Sequence, residues 1–221
     1  MNIKKLLSYF VPINIHQKNS RINNNLEITW NNGALVMDSK NTNFSYGSLQ
    51  KVLRKGLATI GFEKIKRFNT ILVLGVAGGS VIKTLVDEIK FTGKIIGVEI
   101  DPETIHLANT YFGLNQIKNL EVIIDDAEKF VSTTTQKFDL IVIDIFQDNI
   151  MPDFLFDEKF VSNVLKISNN NGAILFNTIV SNGTAQNRND IYKKLLDSKE
   201  ITNQRFPGIE GNNELFILYK S

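Results

Sequence analysis

The chain has 221 residues, 43% of them apolar and 22% charged, which suits one globular domain with a small appendage and excludes a disordered, collagenous or coiled-coil protein. Cysteine is absent and the only imidazoles are His16 and His106, so a disulfide framework, a cysteine nucleophile and a histidine- or thiolate-rich metal site are excluded. The net charge of +2 hides an asymmetry: residues 1–67 hold eleven Lys/Arg against three acids, residues 68–221 fourteen against twenty.

A basic N-terminal third can serve nucleic acid, but a solvated helix face (Lys51, Arg54, Lys55) that complements the acidic remainder explains it more simply. No nucleic-acid partner is expected. No apolar run reaches the ~18 residues of a membrane span, and MNIKKLLSYFVP has neither a long apolar region nor a small-residue cleavage site. The expectation is a cytoplasmic chain with no signal peptide and no membrane partner.

In chain order, residues 1–47 read as strands and turns, a small N-terminal β-hairpin appendage to a domain over 48–221. LEITW and ALVMD flank Asn31-Asn32-Gly33, and Asn-Gly tolerates the positive φ of a primed hairpin turn. Leu49, Val52, Leu53, Leu57 and Ile60 recur at helical spacing, with Gly61 as the stop. From Thr70 strands and helices alternate. TILVLG, GKIIGVEI, LEVIID, FDLIVIDI and GAILFNTIV are short apolar runs that suit strands buried on both faces. Amphipathic stretches at 80–91, 103–112, 127–134 and 157–168 separate them. This βα winding predicts an α/β fold, a mostly parallel doubly wound sheet. EITNQRF and NELFILYK predict a C-terminal antiparallel hairpin at its edge, and the Asn-rich patches at 23–25 and 169–171 read as turns.

In such a sheet ligands bind beyond the carboxyl ends of the strands. The first strand ends in Gly75-Val76-Ala77-Gly78-Gly79-Ser80, where glycines admit a ligand to the backbone and a helix N-terminus follows. The spacing matches neither GxGxxG nor a P-loop, and a purely structural tight turn stays open. The second strand ends in Glu99, an acid placed to accept from ribose hydroxyls or to serve as a structural carboxylate; Asp101, before Pro102, suits a helix cap better. The third ends in Asp125-Asp126-Ala127, where one carboxylate can meet an exocyclic adenine amine while the other caps the next helix. The fourth ends in Asp144, which opens a segment rich in acids (Asp148, Asp153, Asp157, Glu158). For Asp144 a cap or salt bridge is the competing role; for Asp148 and Asp153 it is solvation.

Residues 26–180 resemble the spermidine synthase-like branch of the class I AdoMet-dependent transferases, most closely in ILVLGVAGGS, GVEIDPETIHLAN, IIDDAEKFV and FDLIVIDIFQ. The resemblance implies a Rossmann-like class I methyltransferase fold. It implies a sulfonium nucleoside as co-substrate, S-adenosylmethionine or its decarboxylated form, with no metal. Gly75, Gly78 and Gly79 would hold its sulfonium end, Glu99 its ribose, and Asp126 and Ala127 its adenine; Ser80 and the helix N–H groups are candidates for the carboxylate of AdoMet. Asp144 would orient a small cationic, polyamine-like amine; by the chemistry of an ammonium that must shed a proton, Asp144 with Asp148, and Asp153 as a further candidate, can attract and deprotonate it. A homo-oligomer, a dimer, is implied as well.

The sequence also departs from that family. The loop aspartate of GGGDGG is replaced by Ala77 or Gly78, and D-x-x-D-P reads Asp144-Ile145-Phe146-Gln147-Asp148-Asn149. Tyr-His-Glu reads Tyr46-Gly47-Ser48, the hairpin glutamine is missing, and the late proline- and glycine-rich motif is unrecognisable in 176–190. Three readings follow: aminopropyl transfer to a cationic amine, methyl transfer from AdoMet to an unidentified acceptor, and a non-catalytic nucleoside-binding module. No nucleophile elbow or Ser-His-Asp pattern supports a hydrolase.

Overall fold

The structure is a computed structural model that describes residues 3–20, 22–23, 25–39, 43–45, 48–147, 150–199 and 201–220. The chain opens on a short helix, α1 (Ile3–Leu7), where strands and turns were expected. Ser8 pins it: its carbonyl accepts from Asn32 N and its hydroxyl from Gly33 N, both at 3.0 Å. Strands β1 (Ile13–Lys18), β2 (Leu26–Asn31), β3 (Ala34–Ser39) and β4 (Asn43–Ser45) form an antiparallel sheet in that order. The expected hairpin is β2–β3, with Asn32 and Gly33 at φ 49° and 76°, as a type I′ turn requires.

Helix α2 (Ser48–Ile60) buries Val52, Leu53, Leu57 and Ile60 and exposes Lys51, Arg54 and Lys55. Arg54 pairs with Glu88 of the more acidic remainder. After α3 (Phe62–Lys66) the winding begins: β5 (Thr70–Leu74), α4 (Ser80–Lys83, continued by a wide π turn over Thr84–Glu88), β6 (Lys94–Glu99), α5 (Pro102–Phe112), β7 (Leu120–Ile124), α6 (Ala127–Thr133), β8 (Phe138–Ile143), α7 (Glu158–Ile167) and β9 (Ser168–Ile179). Then come α8 (Gly183–Ser198), β10 (Thr202–Ile209) and β11 (Asn213–Tyr219). The strand order is β10-β11-β9-β8-β5-β6-β7, parallel from β7 to β9 and antiparallel at β11 and β10. The doubly wound sheet and its edge hairpin are as the sequence predicts.

Both faces of the sheet are covered, so successive strand residues serve opposite cores. Ile71, Val73, Leu140 and Val142 pack on one side with α2, and Leu26, Ile28 and Met37 of the small sheet share that cluster. Leu72, Leu74, Ile141 and Ile143 pack on the other side with Phe160 and Val164 of α7 and Tyr192 and Leu196 of α8. The Asn-rich run at 169–171 belongs to the start of β9 rather than to a separate turn. An irregular register accommodates it, with Asn171 at φ 63°. Among the described residues no helix is long and apolar enough to cross a membrane.

Candidate active site

The carboxyl ends of the central strands meet in one row. Gly75 N donates to Val98 O (3.0 Å), Asp144 N to Leu74 O (2.9 Å) and Asp125 N to Glu99 O (3.1 Å). Strand order therefore sets spatial order: Asp125, Glu99, Gly75 and Asp144 stand in that sequence on adjacent strands, with Asn177 beyond them on β9. At a strand spacing of ~4.8 Å, Glu99 and Asp144 are separated by about 10 Å. The order of strands reverses between β5 and β8, and a cleft opens there, as expected for this architecture.

Four carboxylates line the cleft, Glu99, Asp125, Asp126 and Asp144, and no lysine, arginine or histidine does among the described residues. Asp125 is compensated, since its Oδ1 accepts from Lys129 Nζ at 2.9 Å. The apolar walls come from Ile22, Ile100, Phe146, Pro152 and Phe154, with Gly75, Ala77 and Ala127 between them. A flat apolar group between such walls and a cation near the uncompensated acids is what this lining favours.

The glycine turn has a geometric reason. Gly75 sits at φ 84°, and a Cβ there would lie 2.1 Å from the carbonyl oxygen of Asp144. Gly79 sits at φ 82°, against the buried Leu114. Gly78, Gly79 and Ser80 are buried and do not line the cleft, so the turn's contribution to its surface comes from Gly75 and Ala77.

Glu99 is buried, and its carboxylate is engaged by its own backbone surroundings. Oε2 accepts from Val76 N and Ala77 N, and Oε1 from Asp101 N, all at 3.1 Å. Burial raises its pKa, while those three donors oppose the shift. Asp101 caps α5, as its place before Pro102 suggests, accepting from Glu103 N at 3.0 Å. Asp126 caps α6 through Oδ1, accepting from Lys129 N at 2.9 Å, and also faces the cleft. The cap and the candidate adenine contact thus fall on one residue, while Asp125 pairs with a lysine.

Asp144 accepts from Asn177 Nδ2 at 2.9 Å. Burial pushes its carboxyl up to about 6, against the pull of that hydrogen bond. Asp148, and Tyr46 and Gly47 of the altered helix motif, lie outside the described residues. Asp153 is exposed and absent from the cleft lining; its charge acts on Arg188, whose guanidinium lies 4.1 Å from the Phe156 ring. Two cleft-associated residues escape the sequence reading. Asn177 is a polar residue inside an apolar run, which is a usable signal; Asn23 sits in a patch that reads only as a turn.

The same architecture occurs in solved structures. Spermidine synthase from Thermotoga maritima matches with a TM-score of 0.72 at 17% identity, covering 95% of this chain and 73% of that one. Human methyltransferase-like protein 13 in complex with SAH matches with a TM-score of 0.65 at 21% identity, covering 80% and 83%. The fold is therefore the Rossmann-like methyltransferase fold, with an added N-terminal sheet. Residues 50–203 match the spermine/spermidine synthase domain, and the chain belongs to that family. A polyamine aminopropyltransferase of Vibrio vulnificus is 26% identical over 154 residues, 68% of this chain and 50% of that protein. The chain spans about half the length of this curated relative.

Proposed function

We propose that the protein is an AdoMet-type alkyltransferase that moves the alkyl group of a sulfonium nucleoside, aminopropyl in the favoured reading, to a small cationic amine. The observation that carries this is the cleft at the switch point: three uncompensated carboxylates, no basic side chain among its described lining, and apolar walls that suit a purine. Glu99 would hold the ribose, Asp126 and Ala127 the adenine, and Gly75 and Ala77 would give the sulfonium side access to the backbone.

In the reaction the amine lone pair forms a C–N bond to the carbon beside sulfur. The C–S bond breaks, its electrons remain on sulfur as a neutral thioether, and the amine loses one proton. A free amine has a pKa near ~10 and arrives as an ammonium, so it must be attracted, oriented and deprotonated. Asp144 suits all three steps. Its carboxyl, raised to about 6, is ionised at neutral pH yet is a better proton acceptor than an exposed aspartate. Asp148 would assist it.

Methyl transfer from AdoMet is the second reading, favoured by one feature. Neither Ala77 nor Gly78 supplies the carboxylate that the family places in this loop opposite an aminopropyl ammonium. The test is incubation with each sulfonium donor and a panel of polyamines, read by mass spectrometry. One added aminopropyl unit supports the first reading. A methylated acceptor favours the second, and absence of binding by methylthioadenosine, AdoMet and S-adenosylhomocysteine alike refutes both.

A further inference from the structure

Arg188, in the second turn of α8, is a half-buried cation that the site as described does not use. Its guanidinium stacks on the Phe156 ring, and one edge of it is tied down. Nη2 donates to Ile179 O (2.9 Å) and to Asn189 Oδ1 (3.1 Å), and Nε to that same Oδ1 (3.3 Å). No carboxylate stands within ion-pair distance of it among the described residues. Asp153 and Glu214 act on it only through space, and Glu214 is committed to Arg205 and Asn189. Burial pulls its pKa below the usual arginine value, the mark of a charge that has lost water. Nη1 makes no hydrogen bond among the described residues and is not a buried atom, so its two N–H groups remain open. A cation that has shed part of its hydration without a paired anion favours an anionic ligand at such an edge.

The position of the guanidinium shows which ligand that is. Val180 N donates across to Asn212 O beside β11, so Ile179, one residue earlier, turns its backbone groups the other way. Its N–H meets Met151 Sδ (3.4 Å) and its C=O meets Arg188. The guanidinium therefore lies on the β8 side of β9, beyond the strand end where Asp144 stands. Asn177, which holds Asp144, is two residues back along β9, a rise of ~7 Å. Met151 and Phe156, the two side chains against Arg188, flank the Pro152 and Phe154 that line the cleft. An acid and a cation thus stand at successive levels of one strand, at the same end of the cleft. The segment that supplies the cation, 176–190, is also the one in which the sequence leaves the family pattern.

We propose that the acceptor is an amino acid with a short aliphatic chain, whose ammonium is taken by Asp144 and whose carboxylate accepts hydrogen bonds from Arg188 Nη1. The inference rests on the alkyltransferase reading and names the substrate class within it. A diamine of the same length would set its second ammonium against the guanidinium, so the same residue that favours a zwitterion rejects a dication. The transfer step is unchanged, since the attacking nitrogen still loses its proton beside Asp144.

The test is calorimetric titration of the full chain, saturated with methylthioadenosine, with two pairs matched in length: γ-aminobutyrate against putrescine, and δ-aminovalerate against cadaverine. At least one of the carboxylate amines is expected to bind about tenfold or more tightly than its diamine, the scale of one charge-assisted hydrogen bond. Diamines that bind as tightly as both carboxylate amines, or no binding by any of the four, overturn the inference while methylthioadenosine binding leaves the nucleoside reading standing. Failure of methylthioadenosine, AdoMet and S-adenosylhomocysteine to bind at all removes that reading, and this inference with it. Arg188→Gln is expected to erase the preference for the carboxylate. Arg188→Lys, which keeps the charge but not the planar group on Phe156, is expected to weaken it several-fold and serves should the glutamine variant fold poorly. An undiminished preference in a folded variant overturns the role of Arg188.

Discussion

The carboxylate of Asp144 and the side-chain amide of Asn177 are hydrogen-bonded at 2.9 Å across the ends of β8 and β9. Asn177 is fully buried, and its Oδ1 accepts from Asn213 Nδ2 at 3.1 Å, which holds the NH₂ face of the amide toward the acid. A donor to the ionised form lowers a carboxyl pKa, so Asn177 keeps Asp144 ionised against its burial. Asn177→Leu should therefore raise the Asp144 carboxyl further and move the acidic limb of the rate profile upward. Carbon-13 NMR titration of the aspartate carboxyls reads this without an assay for activity. An Asp144 signal that titrates as in the wild type would refute it.

Asp144→Asn should separate turnover from stability. An acid whose pKa is higher in the folded chain binds its proton more tightly there, so ionising it costs folding energy. That cost is absent below pH 3.8 and complete above about pH 6. The amide removes it, and because the side chain is partly open to the cleft the gain at neutral pH should be about 1–3 kcal/mol. The melting temperature should rise, while the rate falls by about 10²–10⁴ as the proton acceptor is lost. A variant that is less stable at pH 7.5 than the wild type would contradict the burial argument, and equal rates would remove Asp144 from the mechanism.

The doubly wound sheet was legible because its strands are apolar on both faces and end in glycine or acid; that pattern survives without any knowledge of packing. Helix α8 was not legible. Its buried side chains are Asn189, Tyr192 and Leu196, and a buried asparagine hides the helical period. Asn189 is tolerated because its amide donates to Thr178 Oγ1 (2.8 Å) and to Glu214 Oε1 (3.1 Å), and Glu214 is in turn paired with Arg205. These partners are assembled only by the fold. The acids of the site were visible at strand ends, yet not their division of labour. That Asp125 meets Lys129 while Asp126 caps α6 depends on which carboxylate turns inward at the start of that helix.

Glu99→Gln should weaken nucleoside binding and loosen the glycine turn together. The carboxylate accepts three backbone N–H groups, and an amide nitrogen would set a donor against one or two of them whichever way it turns. Charge-assisted bonds of this kind are worth about 1.5–3 kcal/mol, or one to two decades in affinity. Titration with methylthioadenosine, paired with a thermal melt, measures both effects. Unaltered affinity would take Glu99 out of the site.

Gly75→Ala and Gly61→Ala make a matched pair. Both positions have positive φ, 84° and 104°, in backbone regions that cost an alanine about 1–3 kcal/mol. At Gly61 the nearest atom to an added Cβ is Lys64 Cβ at 3.8 Å, so strain is the whole effect. At Gly75 the Cβ would press on the Asp144 carbonyl and push β5 from β8, which should raise the loss to about 2–4 kcal/mol and abolish ligand binding. Chemical denaturation of both variants, with titration of the folded fraction, compares them. Equal losses would mean that the turn relaxes freely and that its shape is not what fits the ligand.

The choice of donor follows from what faces the glycine turn. Decarboxylated AdoMet presents a bare ammonium, and neither Ala77 nor Gly78 offers it a carboxylate. A cation at the turn lies behind the buried Gly78, Gly79 and Ser80 from the start of α4, so the helix dipole repels it by at most about 0.3–1 kcal/mol, and the carboxylate of AdoMet is favoured there by no more than a similar amount. Asp101 cannot swing in to compensate, since it is 1% exposed and committed to Asn23, Glu103 and Thr104. AdoMet should accordingly bind at least as tightly as its decarboxylated form. Paired titrations of the two donors, followed by mass spectrometry of putrescine and spermidine incubated with each, decide the matter. Tighter binding of the decarboxylated donor, with the gain of one aminopropyl unit, would show that another acid, Asp148 first among them, supplies the missing charge. Tighter binding of AdoMet with no polyamine product would move the chemistry to methyl transfer, with Asp144 orienting a different nucleophile.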